Sequence, residues 1–350
     1  MANIQKYFEE FHEAIRLSDT DENEELREKR DIILNRLKEK KADDVPSYTS
    51  FNQGSYAMGT GVKPIDGEYD IDVGIRFDIS KDDYPDPVEV KKWVYDALQD
   101  HTSEVKMRRP CVTVTYFKDG EPEFHVDLAI YAANNDDGKL YLAKGKLYSD
   151  NEHKCWEVSD PLGLIEKIRN KYEDADDRKQ FRRIIRYLKR WKDVNFTTDG
   201  NAAPTGIGLT IAAYNFLTIS KQYDFATGKY KYNDLSALKN LVQSTLSSFR
   251  PEYNQEEEKW VERLHINLPT EPYNDLFEKM SDNQMADFKV KLEELKEALN
   301  DAESEPDTHK ACKILEGVFG KDFPVPPKDE TGQKKNLAFF GTSASAQRGL

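Results

Sequence analysis

The apolar residues of this chain change their spacing near residue 159, and this change limits the folds open to it. Between residues 45 and 150 they alternate with polar residues or form short runs, as in EYDIDVGIRFDI, CVTVTYF and EFHVDLAIYA, which is typical of strands. The turn residues of KDGEP predict that the second and third of these strands pair as a hairpin. The stretch DPVEVKKWVYDALQDH has the spacing of a helix. Strands interleaved with a helix predict an α+β domain here.

Helices are predicted on both sides of this domain. Two amphipathic helices, over residues 3–17 and 21–40, precede it. After residue 159 the pattern is almost wholly helical, and we predict helices near 161–173, 177–194, 206–220, 234–249, 255–264 and 282–300. We therefore expect three parts: a core with the N-terminal helices over residues 1–158, a helical lobe over 159–320, and a flexible tail over 321–350.

The composition indicates a chain with a sizeable core and a heavily charged surface. Of its 350 residues, 38% are hydrophobic and 33% are charged, and the formal net charge is −14. No stretch reaches the roughly 18–20 apolar residues that cross a bilayer, and the N-terminus has no apolar signal region. Three separated cysteines and six scattered histidines offer no zinc spacing. We therefore expect a cytoplasmic protein with reduced thiols and no membrane contact.

Three aspartates are candidate metal ligands in the strand-rich region. Asp70 and Asp72 are two residues apart on one predicted strand, so both side chains lie on one face of the sheet. Asp127 lies in the otherwise apolar strand FHVDLAIY, where an acid is costly unless it is paired or bound to a metal. If the two strands are neighbours, the three carboxylates can hold two magnesium ions about 3.5–4 Å apart. Taken alone, an Asp-x-Asp pair is more often a solvated strand end, and a lone strand acid often pairs with an arginine.

A glycine-serine turn precedes the aspartates. Gln53, Gly54 and Ser55 are consecutive, and Ser55 lies fifteen residues before Asp70. Glycine lets the backbone approach a phosphate, whose oxygens can accept from adjacent N–H groups and a serine hydroxyl. By itself Gly-Ser is an ordinary turn dipeptide. Followed by Asp-x-Asp on a strand and by a later strand aspartate, it forms a specific combination.

This combination resembles the signature of the DNA-polymerase-β-like nucleotidyltransferases. The longer string QGSYAMGTGVKPIDGEYDIDVGIRF is similar to the bacterial cGAS/DncV-like nucleotidyltransferases, the CD-NTases. The resemblance is strong over residues 48–80 and continues more weakly to about residue 220. It implies an α+β fold in which a polymerase-β-like core, a mixed sheet flanked by helices, packs against a helical C-terminal lobe.

The resemblance also implies an activity. CD-NTases make cyclic dinucleotides or trinucleotides from ATP, GTP or related triphosphates as a signal in antiphage defence (CBASS). Asp70, Asp72 and Asp127 match the family's catalytic carboxylates and ligands of two Mg²⁺ ions, for which Mn²⁺ can substitute. No zinc module like that of the animal DNA-sensing relatives is present, so control by DNA is not expected. The reaction needs no nucleic-acid polymer.

Five residues are implied as nucleotide contacts. Gln53, Gly54 and Ser55 match the turn that contacts the donor nucleotide. Lys189 matches the triphosphate-binding lysine of the helical lobe. Thr205, in the PTG stretch that opens the next predicted helix, is its expected hydroxyl partner. A triphosphate would then lie between the core, whose aspartates would hold the metal ions, and the helical lobe, which would supply cationic side chains.

The segment around Lys189 is strongly basic in an acidic chain. The fifteen residues from Arg178 to Lys192 hold eight cations and no acid. On a helix Arg182, Arg186 and Lys189 form one stripe, and because like charges at this spacing repel each other, an anionic partner is expected. The alternative is a solvated face, which is what most charge runs are. Since the chain as a whole is acidic, we expect its substrate to be free nucleotides rather than a polymer.

Two other functions stay open at this point. The same fold can transfer a nucleoside monophosphate to RNA, a protein or a small molecule such as an antibiotic. A catalytically inactive binding module is also conceivable, although the chain retains all three aspartates.

The tail raises a separate question of partners. The chain ends in Ala-Gln-Arg-Gly-Leu. Some CD-NTases similar to this one are conjugated through the C-terminus by ubiquitin-transfer-like proteins, and such a partner is possible here. The alternative is a frayed terminus.

Overall fold

A mixed sheet of seven strands forms the centre of the first half of the chain. The computed structural model describes residues 4–17, 21–65, 67–197 and 202–328. The strands are β1 (Tyr48–Asn52), β2 (Tyr69–Phe77), β3 (Glu104–Met107), β4 (Val112–Lys118), β5 (Glu121–Ala132), β6 (Tyr141–Lys144) and β7 (Cys155–Val158). Their order is β1-β2-β5-β4-β3, with β6 pairing to the end of β5 and β7 pairing to β6. Strands β2 and β5 are parallel, and the other pairs are antiparallel.

The predicted hairpin before Asp127 is confirmed. Strands β4 and β5 pair up to Lys118 opposite Glu121, which leaves Asp119 and Gly120 as a two-residue turn. Both turn residues have positive φ, 52° and 89°. An Asp-Gly pair favours this turn because it accepts that conformation at low cost.

Two helices cover the sheet. They are α2 (Asp21–Lys40) and α4 (Pro87–Leu98), both predicted from their spacing. Each contributes buried aliphatic residues to a core shared with the inward-facing residues of β2, β4 and β5. A five-residue helix, α3 (Gly54–Met58), begins at the glycine-serine turn. One face of the sheet is therefore covered, and Asp70 and Asp72 lie near the beginning of β2.

The second half of the chain is mainly helical and has its own hydrophobic core. Its helices are α5 (Pro161–Arg169), α6 (Ala175–Asn195), α7 (Gly206–Phe216), α8 (Asp234–Leu246), α9 (Asp282–Ser304) and α10 (Thr308–Phe319). The long α6 lies at its centre, with Tyr187 and Trp191 fully buried. The fold is thus the expected α+β core with a helical C-terminal lobe. The sequence did not predict α10.

The first helix, α1 (Gln5–Ile15), packs with the helical lobe rather than with the sheet. Its Phe8 and Phe11 are buried against the ring of Tyr187, with centroid distances of 5.3 and 5.2 Å. The expected division at residue 158 grouped this helix with the core, and the packing places it across that boundary. Sequence spacing identifies an apolar face, but it does not identify what that face contacts.

The helix predicted over residues 255–264 is wrong. Strands β10 (Arg250–Asn254) and β11 (Lys259–Arg263) form a hairpin there, and β8 (Lys221–Asp224) and β9 (Lys229–Tyr232) form another. The side chain of Asn254 accepts hydrogen bonds from the next two glutamate amides, Glu256 and Glu257, which starts a turn instead of a helix. Arg263 then binds Asp282 at the start of α9 and anchors the second strand.

The expected tail is packed at its beginning. Phe323 is 1% exposed and its ring lies 5.3 Å from that of Phe8 and 5.1 Å from that of Phe11. Residues 329–350, which include the Ala-Gln-Arg-Gly-Leu end, lie outside the described residues. No helix in the described part of the chain is both long enough and apolar enough to cross a membrane.

Candidate active site

The three aspartates meet at one point on the sheet. Because β2 and β5 are parallel neighbours, Asp72 lies directly beside Asp127, and Asp70 lies two residues earlier on the same face. One carboxylate oxygen from each of the three lies within 4.8 Å of the others. Asp70 is exposed and the other two are partly buried. The sequence predicted that the three carboxylates converge if their strands are neighbours. The strands are neighbours, and the carboxylates do converge.

These carboxylates are electrostatically suited to a divalent cation. Desolvation by the surrounding protein raises the pKa of Asp70 and of Asp72. The negative charge of Asp127 raises both pKa values further, and only the neighbouring Arg108 opposes this at Asp70. Three oxygen donors that repel each other form a set that Mg²⁺ or a similar hard cation would relieve. Described residues from two adjacent strands thus fit a metal site.

A buried hydroxyl orients the third aspartate. Thr113 lies opposite Asp127 on the antiparallel neighbour β4, and its Oγ1 donates to Asp127 Oδ1 at 2.5 Å. Thr113 is 1% exposed, so this hydrogen bond is sheltered from water. The sheet therefore fixes the orientation of this carboxylate through one of its oxygens.

The glycine-serine turn is packed directly on Asp72. Gly54 has a φ of +65°, which is unfavourable for other residues. A Cβ atom at this position would lie 1.7 Å from Asp72 Oδ2. The backbone N–H of Gln53 donates to the carbonyl oxygen of Asp72 at 3.0 Å. Position 54 must therefore be glycine for both conformation and space, and the turn and the carboxylates form one rigid unit.

A cavity of about 830 Å³ opens over this unit and extends to the helical lobe. Gln53, Ser55, Asp70 and Asp72 line it from the sheet side. The helical lobe contributes residues of α5, α6 and α7, which are Pro161, Leu164, Ile165, Lys189, Lys192, Asp193, Gly206 and Ile207. The volume is in the range of small-molecule sites. A ligand here would contact both halves of the chain at once.

The comparisons with known proteins agree with this geometry. Residues 49–131, from β1 to β5, match the family model described as the nucleotidyltransferase domain of cyclic GMP-AMP synthase DncV-like proteins. A curated relative, the cyclic GMP-AMP synthase of Escherichia albertii, is 31% identical over 157 residues. The matched segment is thus similar to the nucleotidyltransferase domain of the DncV-like proteins. That alignment spans 42% of this chain and only 32% of the relative.

Solved CD-NTase structures share the fold over nearly the whole chain. Vibrio cholerae DncV in complex with nonhydrolyzable GTP has a TM-score of 0.68 at 19% identity, covering 94% of this chain and 98% of that one. The CD-NTase CdnG of Bradyrhizobium diazoefficiens in complex with GTP has a TM-score of 0.64 at 14% identity, covering 91% and 96%. At these identities the likeness shows a common fold, including the helical lobe.

Lys189 lies across the cavity from the carboxylates of Asp70 and Asp72. It is 7% exposed, and its Nζ donates to the carbonyl oxygen and the Oγ1 of Thr60 at 3.2 and 3.4 Å. Burial and neighbouring cations, Lys192 and Arg186, lower the pKa of Lys189 to about 7. A buried cation whose charge is disfavoured gains from an approaching anion. Lys189 therefore lies at the site, and its role in binding a triphosphate stays a prediction.

Thr205 is placed next to the cavity but is engaged elsewhere. It is the N-cap of α7, and its hydroxyl accepts from the N–H of Gly208 at 3.1 Å and donates to the carbonyl of Leu276 at 3.4 Å. The next residue, Gly206, lines the cavity. The structure gives Thr205 a capping contact, and the expected contact with a nucleotide stays a prediction.

Two further residues support the site and were not predicted from the sequence. Tyr131, 3% exposed on β5, donates its hydroxyl to Gln53 Oε1 at 2.9 Å and lines the cavity. Thr113 orients Asp127, as described above. The period of two along β5 puts Tyr131 on the face of Asp127 and was a usable signal. Thr113 had no comparable signal, because its partner depends on the register between β4 and β5.

Proposed function

We propose that the chain joins nucleoside triphosphates into a cyclic dinucleotide or trinucleotide, releases pyrophosphate, and acts in the cytoplasm in CBASS signalling. The observation that carries this proposal is the arrangement of one cavity between two cores. Asp70, Asp72 and the glycine-serine turn line that cavity opposite a buried lysine, and Asp127 lies beside the two aspartates. The named structures of related CD-NTases with GTP support a nucleoside triphosphate as the ligand.

The three carboxylates are the proposed ligands of two Mg²⁺ ions. Bound there, the cations would activate an attacking 3′-hydroxyl and stabilise charge on the leaving pyrophosphate. Asp127 is the residue that we place closest to the attacking hydroxyl. Its orientation is set by Thr113, which holds one of its oxygens. Mn²⁺ would serve in the same position, because it also accepts hard oxygen ligands.

The remaining residues bind and orient the triphosphate. Gly54 leaves room for close approach of the backbone, and Ser55 presents a hydroxyl to the same cavity. Gln53 is held by Tyr131 at the floor of the cavity. Lys189 supplies positive charge from the opposite wall, where burial strengthens its attraction to phosphate. Orientation by both halves would convert the joining step into a reaction between fixed neighbours.

The test is incubation with all four nucleoside triphosphates and Mg²⁺, followed by phosphatase treatment and mass spectrometry. We expect a phosphatase-resistant cyclic product from the wild type and none from Asp72→Asn. Asp96→Asn, an exposed acid on α4, is the matched control and should leave the product unchanged. Hydrolysis alone, at equal rates in Asp72→Asn and wild type, would reject the proposal. Label from ATP that ends on an RNA, protein or small-molecule acceptor would instead establish transfer to that acceptor.

The division at residues 158 and 320 and a ubiquitin-transfer-like partner for the tail remain proposals alongside this function. Mass spectrometry of protein co-expressed with its genomic neighbours tests the partner. An unmodified C-terminus under those conditions would exclude conjugation.

A further inference from the structure

The segment that follows the glycine-serine turn is held by the helical lobe through its backbone. We call residues 57–63, which are the end of α3 and the loop after it, the glycine loop. Four cationic side chains of α5 and α6 donate hydrogen bonds to its carbonyl oxygens. These are Arg169 to Ala57 at 2.6 Å, Arg186 to Gly59 at 2.7 Å and to Gly61 at 3.0 Å, Lys189 to Thr60 at 3.2 Å, and Arg190 to Lys63 at 2.8 Å. Arg186 and Lys189, for which an anionic partner was expected, thus bind carbonyl dipoles.

Arg186 makes the most extensive contact of this group. Its Nη2 and Nε atoms bind two carbonyls on either side of Thr60, which matches the fixed fork of a guanidinium group. Its Nη1 atom lies 2.9 Å from Nε2 of His12 on α1. Since a guanidinium can only donate, Nε2 of His12 accepts. Arg186 therefore joins α1, α6 and the glycine loop at one point.

His12 is suited to this acceptor role. Burial, followed by the charges of Arg186, Arg183 and Arg16, lowers the pKa of His12 to about 3, and Asp234 opposes this only in part. The ring is consequently neutral at physiological pH. Its other nitrogen, Nδ1, lies 3.2 Å from Glu13 Oε1 and can donate to it. The acceptor nitrogen thus faces Arg186 in a fixed tautomer.

The glycine loop connects this clamp to the cavity. The N–H of Thr60, between the two bound carbonyls, donates to the carbonyl oxygen of Ser55 at 2.9 Å. Met58 and Val62 of the loop line the cavity itself. Gly59 ends α3 in the left-handed conformation, with a φ of +68°, and its N–H donates to the carbonyl oxygen of Tyr56 at 3.1 Å. The placement of Ser55 therefore depends on the contacts that hold the glycine loop to α5 and α6.

We propose that Arg186 is a positioning residue for nucleotide binding: it holds the glycine loop so that Ser55 and Lys189 face one triphosphate. This rests on the proposed function, because it assumes that a triphosphate occupies the cavity. Arg186 does not line the cavity among the described lining residues, so it acts through the loop rather than on the ligand. The helical lobe thereby sets the geometry of a turn that belongs to the sheet.

Two measurements on the full-length protein test this role. Hydrogen exchange of the nucleotide-free protein, followed by mass spectrometry, reports the opening of residues 55–63. Binding of a nonhydrolysable ATP analogue in Mg²⁺ reports the consequence for the site. The variants are Arg186→Gln, which loses the charged fork, and Arg186→Lys, which keeps one cationic donor. Arg178→Gln is the matched control, because Arg178 also lies on α6 and also binds two carbonyls, those of Tyr172 and Glu173, away from the cavity.

We expect exchange in the glycine loop to be about ten-fold faster in Arg186→Gln, because charge-assisted hydrogen bonds are lost. Binding of the ATP analogue should weaken by about the same factor. Arg186→Lys should be intermediate in both, and Arg178→Gln should match the wild type in both. Melting temperatures identify any variant that fails to fold. If Arg186→Gln does not fold, the folded Arg186→Lys is compared with the wild type instead.

Unchanged exchange over residues 55–63 in a folded Arg186 variant would overturn the proposal. Faster exchange with unchanged binding of the ATP analogue would also overturn it, since the loop would then not govern the site. No binding of the analogue to the wild type would instead overturn the proposed function. The exchange measurement distinguishes the two failures, because it needs no nucleotide.

Discussion

Removing one negative charge from the aspartate cluster should stabilise the metal-free protein. The oxygens of Asp70, Asp72 and Asp127 lie within 4.8 Å of one another. At that distance two full charges repel by about 3.5 kcal/mol with an effective dielectric constant of about 20. Because Asp70 is exposed, solvent screening reduces this value. We therefore expect Asp70→Asn to raise the free energy of unfolding by about 1–2 kcal/mol in the presence of EDTA.

The same substitution should remove most of the response to metal. Mg²⁺ binds the folded wild type and not the unfolded chain, so it should raise the melting temperature of the wild type in proportion to the logarithm of its concentration. The difference in melting temperature between wild type and Asp70→Asn should therefore become smaller or change sign at millimolar Mg²⁺. Thermal melts in EDTA and across a Mg²⁺ series measure both effects.

Asp96→Asn is the control for a general change in net charge. Asp96 is exposed on α4 and lies outside the cluster. It should alter neither the stability in EDTA nor the response to Mg²⁺. An Asp70→Asn protein that is less stable than wild type in EDTA, or that responds to Mg²⁺ as the wild type does, would refute the electrostatic reasoning.

Three further substitutions test the neighbours of the cluster. Gly54→Ala should abolish product formation, because its Cβ would displace Asp72 and its φ is positive; circular dichroism should show that the fold persists. Thr113→Val should weaken Mg²⁺ binding about ten-fold in a calorimetric titration, and Thr113→Ser should not, because only the hydroxyl orients Asp127. Lys189→Met should weaken nucleotide binding yet stabilise the nucleotide-free protein by about 2–4 kcal/mol. The pKa of Lys189 is lowered to about 7, so above that pH the unfolded chain binds more protons than the folded protein. Denaturant melts should therefore show the extra stability of Lys189→Met to be largest below pH 7 and to vanish toward pH 10.

The core of the site could be predicted from the sequence because local patterns determine it. The period of two puts Asp70 and Asp72 on one face, and the Asp-Gly turn fixes the hairpin that carries Asp127. Whether β2 and β5 are neighbours was the one condition that the pattern left open. It depends on contacts between distant segments, and the structure confirms it.

Other features could not be predicted, since they depend on tertiary contacts. The stripe of Arg186 and Lys189 implied an anion, and its partners proved to be carbonyl groups of the glycine loop. The glutamate-rich stretch near residue 257 has helix-forming residues, yet the Asn254 turn and the anchoring of β11 on α9 made it a hairpin. In the first case the sequence shows the charge of the stripe, and in the second it shows helix propensity. In both cases contacts with distant residues determined the structure that formed.

The parallel pairing of β2 and β5 has a consequence for changes in chain length. Between these strands run α4, β3 and β4, which together form a long excursion that returns to the same ladder. Insertions in the connecting loops of that excursion would leave Asp72 beside Asp127, because the ladder and not the loop length sets their alignment. A single residue inserted within β5 before Asp127 would turn its carboxylate to the opposite face. Length variants of this chain should therefore separate sharply into active proteins with altered loops and inactive proteins with an altered strand.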